Sequence, residues 1–148
     1  MNTQVAASQI ALDAARRRRG AMKDAISRTE AAASSPTADP GWRRTVLAEL
    51  QNLQLALSAH VDEVEGDDGL LNQLCNDAPR LVNKIQNMRN EHPQLTRDLA
   101  QVIAETEGDT EPATVRTHVL EVLLALVHHR QQGSDLVYEG YSVDIGGG

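Results

Sequence analysis

The feature that most constrains the fold is the return of an apolar residue at every third or fourth position through several long segments. One such series consists of Val46, Leu50, Leu53, Leu57, His60 and Val64. Because an α-helix turns once in about 3.6 residues, side chains with this spacing share one helix face. Aromatic residues make up only 2% of the chain, and Phe is absent, so Leu, Val, Ile and Ala must fill the interior. The sequence therefore predicts an all-α protein.

The spacing predicts four helices and a short tail. The helices are expected at about 3–33, 42–76, 79–107 and 111–138, and the tail at 139–148. Proline or glycine lies in or beside each predicted connection, where a helix ends most easily. Long helices joined by short loops pack antiparallel to their neighbours. We therefore predict a single domain over residues 1–148, an up-down-up-down four-helix bundle with a short C-terminal tail.

Two segments allow more than one interpretation. Gly66 and Gly69 interrupt the second predicted helix, and the favoured interpretation is one long helix loosened at these glycines. A true turn at the glycines is the alternative. Pro93 lies inside the third predicted helix, where it is expected to bend or locally break the backbone.

Composition excludes several classes of protein. The net charge of −7 argues against a nucleic-acid-binding protein. No segment approaches the roughly 18 apolar residues that a membrane span requires. The N-terminal segment lacks the charge order of a signal peptide. Cys75 is the single cysteine, which suits a reducing compartment, so we expect a cytoplasmic protein without membrane association.

Three histidines are expected at one level of the bundle. His60 lies about 18 residues before the turn between the second and third helices, and His92 lies about 13 residues after it, an offset of roughly 7 Å by helix rise. His92 and His129 lie about 17 and 19 residues from the next turn. Counted around the first loop, Arg19 reaches the same level. Imidazoles and carboxylates on facing helices are how a bundle forms a metal site.

The candidate metal ligands are these histidines and the acidic or imidazole groups near them. They are His60, Glu63, Glu65, His92, His128, His129 and Asp135. His128 and His129 cannot both face the core, and His118 is expected on the solvent side or toward the third helix. A single seam histidine is more often a hydrogen-bonded core residue than a ligand. Arg19 allows another alternative, in which its guanidinium pairs with a carboxylate and replaces the charge of a metal.

These residues resemble the hemerythrin-like, or HHE cation-binding, family. The resemblance covers roughly residues 5–140. It rests on HVDEVEGDDGLL at 60–71, APRL and MRNEHPQL within 78–95, and VLEVLLALVHHRQQG at 119–133. It implies an up-and-down four-helix bundle around a non-haem di-iron centre. The family's helix A histidine would fall at Arg18 or Arg19, and its helix B glutamate at Val64. The second helix C histidine would fall near Thr96, and the step from the helix D histidine to Asp135 is longer than the family's.

The incomplete ligand set leaves two functional alternatives. In the first, a reduced histidine and carboxylate site binds mono- or dinuclear iron and a small ligand such as dioxygen or nitric oxide. In the second, the bundle is metal-free and serves as a structural or protein-interaction module, with Arg19 paired to acidic residues at the former site. An enzyme has least support, because no nucleophile and base are brought together by their spacing.

Overall fold

A computed structural model describes the backbone of residues 3–66 and 69–143. Within these ranges it describes all side chains except those of residues 3–8, 11, 14, 15, 18, 19, 142 and 143. The helices are α1 (Thr3–Ser34), α2 (Trp42–Glu65), α3 (Leu70–Asp77), α4 (Val82–Glu107) and α5 (Pro112–Tyr138). A 3₁₀ turn, Pro79–Leu81, precedes α4, and a π-helical turn, Glu139–Val143, follows α5. The described ranges contain no strand, which confirms the all-α prediction.

The four long helices pack around a common interior. Helix α1 contacts α2, α2 contacts α4, α4 contacts α5, and α5 contacts α1. This closed ring of neighbours is consistent with a four-helix bundle. The short helix α3 lies against α1, α2 and α4. Within the described ranges, every helix is too short or too polar to span a lipid bilayer.

The backbone breaks where the sequence allowed either a loosened helix or a turn. Helix α2 ends at Glu65, and the backbone is extended at Gly66 (ψ 165°) and Gly69 (ψ 167°) before α3 begins. The prediction of one continuous helix over 42–76 is therefore wrong, and the alternative of a turn is correct. The physical reason is that the backbone at Gly69 returns close to the end of α2. A Cβ on Gly69 would lie 2.5 Å from the carbonyl oxygen of Glu63 and 2.7 Å from that of Val64.

Two further expectations differ in detail from the structure. Helix α4 runs without a break through Pro93, whose ring lies at an exposed position, so the expected local break is absent. The beginning of the predicted tail instead continues α5 as the π-helical turn. Gly140 in that turn is buried, and a Cβ there would lie 2.5 Å from Cδ2 of Leu74 in α3. Residues 144–148 of the predicted tail lie outside the described residues.

Two arginines donate hydrogen bonds to backbone carbonyls at the end of the bundle that carries the α1–α2 and α4–α5 loops, here called the loop end. Arg43 donates to the carbonyl oxygens of Thr106 (3.1 Å) and Gly108 (3.2 Å), where α4 ends. Arg116 donates through Nε to the carbonyl oxygen of Ala33, at the end of α1, at 2.7 Å. The last carbonyls of a helix have no partner within the helix, so these guanidinium groups cap two helices and join them to their neighbours.

The apolar core is divided into two clusters, and this division positions the site. The larger cluster fills the loop end and extends to Leu57 on α2, Leu95 on α4 and Leu126 on α5. The smaller cluster includes Val64 on α2 and Met88 on α4, together with apolar side chains of α3. On α2, α4 and α5 the interval between the two clusters contains a histidine that faces the core, namely His60, His92 and His129, so the core changes from aliphatic to polar at one level.

We predict that Gly69→Ala destabilises the fold by about 1–3 kcal/mol, because the added methyl group would collide with backbone atoms of α2. Gly20→Ala is the matched control. Gly20 lies at an exposed position of α1 with open space around an added Cβ, so this substitution should stabilise the fold by up to about 1 kcal/mol. Urea denaturation of the three proteins measures both effects. Equal stability of Gly69→Ala and the wild type would contradict the close approach.

Candidate metal centre

His60 on α2, His92 on α4 and His129 on α5 meet in the layer between the two core clusters. The ring centroid of His60 lies 5.6 Å from that of His92 and 5.7 Å from that of His129, and the centroids of His92 and His129 are 4.9 Å apart. His92 and His129 are each only 2% exposed, and His60 is half-buried. One nitrogen from each ring lies within 4.8 Å of the others. Among the described residues this trio is therefore a group that a metal ion can bridge.

A carboxylate lies close to the Nδ1 atom of two of the three rings, behind the side that faces the other histidines. Nδ1 of His129 lies 2.9 Å from Oε2 of Glu91 in a well-formed hydrogen bond. Nδ1 of His92 lies 3.0 Å from Oε1 of Glu65, which is ion-pair distance, although the oxygen is out of line for a hydrogen bond. An ionised carboxylate only accepts, so Glu91 favours the tautomer of His129 with its proton on Nδ1. The nearby charge of Glu65 favours the same tautomer of His92.

The opposite nitrogens of these two rings face each other. Nε2 of His92 lies 3.2 Å from Nε2 of His129. When both rings carry their proton on Nδ1, both Nε2 atoms present lone pairs across this short gap. At this distance one Nε2 atom carries a proton and donates it to the other, as the neutral Nε2–H tautomer of His92 would, or a metal ion lies between the two lone pairs. Metal-ligating histidines in proteins commonly donate their other N–H to a carboxylate, as His129 does here.

Burial opposes an additional proton that would charge the ring of His129. Burial lowers the pKa of His129 below the ordinary value of 6.5, and the neighbouring His92 lowers it further. The hydrogen bond to Glu91 opposes this shift but does not overcome it. The imidazole therefore remains neutral to lower pH than an exposed histidine, and neutral imidazole is the form that binds a metal.

A second layer of contacts holds Glu91 in place. In the amide orientation that satisfies both of its ends, Gln132 donates to the two carboxylate oxygens of Glu91 at 2.6 and 3.1 Å. The amide oxygen of Gln132 then accepts from Nε2 of His128 at 3.2 Å. His128 is exposed. A chain of contacts therefore runs from this surface residue through Gln132 and Glu91 to His129 in the centre.

A small cavity adjoins the three histidines. Its volume is about 40 Å³, and its wall includes all three imidazoles, Arg130 and Gly133. Its other lining residues are Val64, Leu70, Leu71, Leu74, Met88, Leu136 and Val137. A water molecule needs about 10–15 Å³ of such space, so the cavity has room for a ligand of a few atoms.

The structure brings together some of the candidate ligands and separates others. His60, His92 and His129 form the group, and Glu65 lies behind His92. Asp135 is exposed and accepts a hydrogen bond from Gln131 at 3.0 Å, and Glu63 does not belong to the group that can hold an ion. The backbone of Arg19 lies within α1, but its side chain lies outside the described residues, so the charge-substitute interpretation stays a prediction.

Sequence reasoning missed Glu91, Gln132 and Arg130. The signal for Gln132 was present in the spacing. Gln132 follows His129 by three residues, which places the two side chains on one side of α5. Glu91 could be found only by knowing that α4 and α5 face each other at this level. Arg130 adjoins His129 in sequence, and no periodic pattern distinguishes it from an ordinary solvated arginine.

His118 forms a separate pair away from this centre. Its Nδ1 lies 2.6 Å from Oε2 of Glu105 on α4, which agrees with the expectation that it faces solvent or the third long helix. The hydrogen bond to Glu105 raises the pKa of His118 above its ordinary value.

The chain matches no family model, no curated protein and no solved structure.

We predict that the two histidines titrate on opposite sides of pH 6.5 in the metal-free protein, His129 below it and His118 above it. Between pH 6.5 and the lower pKa of folded His129, the unfolded chain binds more protons. The contribution of His129 to stability is therefore present above pH 6.5 and is lost as the pH falls through this window. NMR titration of the imidazole C–H resonances measures both values. Glu105→Gln should lower the pKa of His118 and leave His129 unchanged, and a His129 midpoint above 6.5 would contradict its burial.

Proposed function

We propose that this protein binds one transition-metal ion through His60, His92 and His129 and holds a small ligand at a remaining coordination position. The observation that carries this proposal is the 3.2 Å approach of the Nε2 atoms of His92 and His129, with a carboxylate behind each ring. Three neutral imidazoles suit iron, zinc, copper or nickel, and hard cations such as calcium prefer oxygen.

The spacing of the nitrogens supports this assignment. Metal–nitrogen bonds of about 2.0–2.1 Å in a tetrahedral site place neighbouring ligand nitrogens about 3.3 Å apart. The two Nε2 atoms at 3.2 Å already have this separation. His60 completes the set if its ring moves toward the pair by at most about 1.5 Å, given the 4.8 Å limit on the group. Three protein ligands leave a fourth position open, as in catalytic or ligand-binding metal sites.

Non-haem iron is our first candidate for the ion, and the chain is then a divergent hemerythrin-like bundle whose long helices run up-down-up-down. The support for this family is the set of sequence motifs described above. The ligands available in the structure favour a mononuclear centre, because Glu65 and Glu91 contact the backs of the rings. The cavity of about 40 Å³ supports a diatomic ligand such as dioxygen or nitric oxide. The single cysteine and the absence of a membrane-spanning helix in the described ranges are compatible with a place in the cytoplasm.

A metal-free structural bundle is the second candidate, and one observation favours it. The contact between the two Nε2 atoms has hydrogen-bond length, so one shared proton would also satisfy both rings. In that case the histidines serve to fix the register of the helices, as buried polar groups do in some helical assemblies. The two candidates differ in whether the protein retains an ion.

We predict that untagged protein loaded anaerobically with ferrous iron and then desalted retains one ion per chain, measured by elemental analysis. His60→Gln, His92→Gln and His129→Gln should each lose most of the ion, because each removes one of three ligands. The matched control is His118→Gln, which keeps the trio and its supporting contacts and should bind like the wild type. A wild type that retains no iron or zinc above background would favour the metal-free bundle.

We predict that Gly133→Val keeps the ion and excludes the small ligand, because Gly133 lines the cavity and faces open space where a side chain would enter. Binding of nitric oxide to the iron-loaded protein, followed by absorption spectroscopy, should weaken at least about fivefold, because the valine side chain takes up part of a cavity of about 40 Å³. Gly20→Val controls for the general effect of a branched residue in a helix. Unchanged nitric oxide binding in Gly133→Val would place the ligand elsewhere.

A further inference from the structure

Helix α5 carries apolar side chains on the face that points away from the core. Among the described residues, α1, α2 and α4 each expose one large apolar side chain, whereas α5 exposes four. These four are Leu120, Leu124, Val127 and Tyr138, and Leu124 and Tyr138 are 71% and 68% exposed. Single exposed apolar residues are ordinary on a protein surface, but several on one face of one helix mark an interaction site.

The spacing of these side chains is that of a coiled-coil seam. Thr117, Gln131 and Ser134 complete a series in which intervals of three and four residues alternate. The outer seam is defined here by the uncharged residues Thr117, Leu120, Leu124, Val127, Gln131, Ser134 and Tyr138. By helix rise it is about 32 Å long. A seam with this seven-residue repeat fits another long helix that lies alongside it.

The two edges of the outer seam carry opposite charges. Arg116 lies at the edge next to α1, where its Nε donates to the carbonyl oxygen of Ala33. Arg130 follows Arg116 by about four helical turns and therefore lies near the same edge. Glu121 and Asp135 lie at the other edge, where each lines a groove that α5 shares with α4. The seam thus has a basic edge toward α1 and an acidic edge toward α4.

Opposite edges meet when two copies of α5 are related by a twofold axis parallel to the helix. In a parallel coiled coil, the residue just before a seam position lies opposite the residue five positions further along the other helix. Arg116 then faces Glu121 of the second copy, and Arg130 faces Asp135 of the second copy. An antiparallel pair would join the two basic edges to each other and the two acidic edges to each other. The charges therefore favour the parallel arrangement.

We propose that this protein forms a parallel twofold dimer through the outer seam of α5. The partner is a second copy of the chain, because the matching of edges requires the same charges in the same order on both helices. Each seam residue then faces its own counterpart, so Leu124 packs against Leu124 of the second copy. The dimer does not depend on the proposed metal centre, since the three histidines lie on the opposite, inner side of the bundle helices.

Sedimentation equilibrium of the full chain, up to about 1 mM, measures the dissociation constant of the dimer. We expect Leu124→Glu to raise this Kd at least about tenfold, because two carboxylates would face each other across the axis. Leu55→Glu is the matched control: Leu55 is 70% exposed on α2, so the same change there should leave the Kd unchanged. Circular dichroism checks that both variants keep their helices. A wild type that stays monomeric over the whole series, or an unchanged Kd in folded Leu124→Glu, would overturn the proposal.

Cysteine cross-linking tests the direction of the two helices. In a Cys75→Ser background, Thr117→Cys and Gln131→Cys each place one thiol at an exposed position of the outer seam. A parallel pair brings the two copies of each thiol together, so each variant should form a disulfide-linked dimer by itself under mild oxidation. Ser58→Cys, at an exposed position of α2, should stay monomeric and controls for random oxidation. Cross-links that form only when the Thr117→Cys and Gln131→Cys proteins are mixed, or no cross-links at all, would overturn the parallel dimer.

Discussion

Two imidazole nitrogens facing each other at 3.2 Å, Nε2 of His92 and Nε2 of His129, set the requirement that the rest of the centre must meet. A buried imidazole needs a partner at each nitrogen, because an unsatisfied polar atom in a dry interior costs free energy. Glu91 supplies the partner of His129 on the outer side, and Gln132 in turn holds Glu91. What remains is the 3.2 Å gap between the two Nε2 atoms, which either a proton on one of them or a metal ion can fill.

The polar layer also determines how the core is organised. Leucines on α2, α4 and α5 pack on one side of the histidines, and the smaller cluster with α3 packs on the other. Helix α3 exists as a separate element because the chain turns at Gly66 and Gly69, and this turn places Leu70, Leu71 and Leu74 on the wall of the cavity. An uninterrupted helix would carry these side chains past the layer. The turn therefore contributes an apolar wall to the space beside the three histidines.

The sequence was enough to predict the helices and the common level of the three histidines, because both follow from helix rise and the spacing of apolar residues. It could not decide between a loosened helix and a turn at Gly66 and Gly69, because this depends on how closely the backbone returns to the end of α2. It also could not identify Glu91 as the partner of His129. That contact depends on the rotation of α4 relative to α5, and an error of one residue in either helix turns a side chain by about 100°.

Position 64 bears both on the proposed ligand set and on the wall of the cavity. The hemerythrin-like pattern would place a glutamate there, four residues after His60, where its carboxylate could balance the charge of bound metal. This chain has Val64, which is 5% exposed and lines the cavity. With a valine at that point, the cavity side lacks that negative charge and has an apolar wall instead. Glu65 and Glu91 behind the rings carry two negative charges, which match the charge of one divalent ion, so the valine at position 64 argues against a second metal ion.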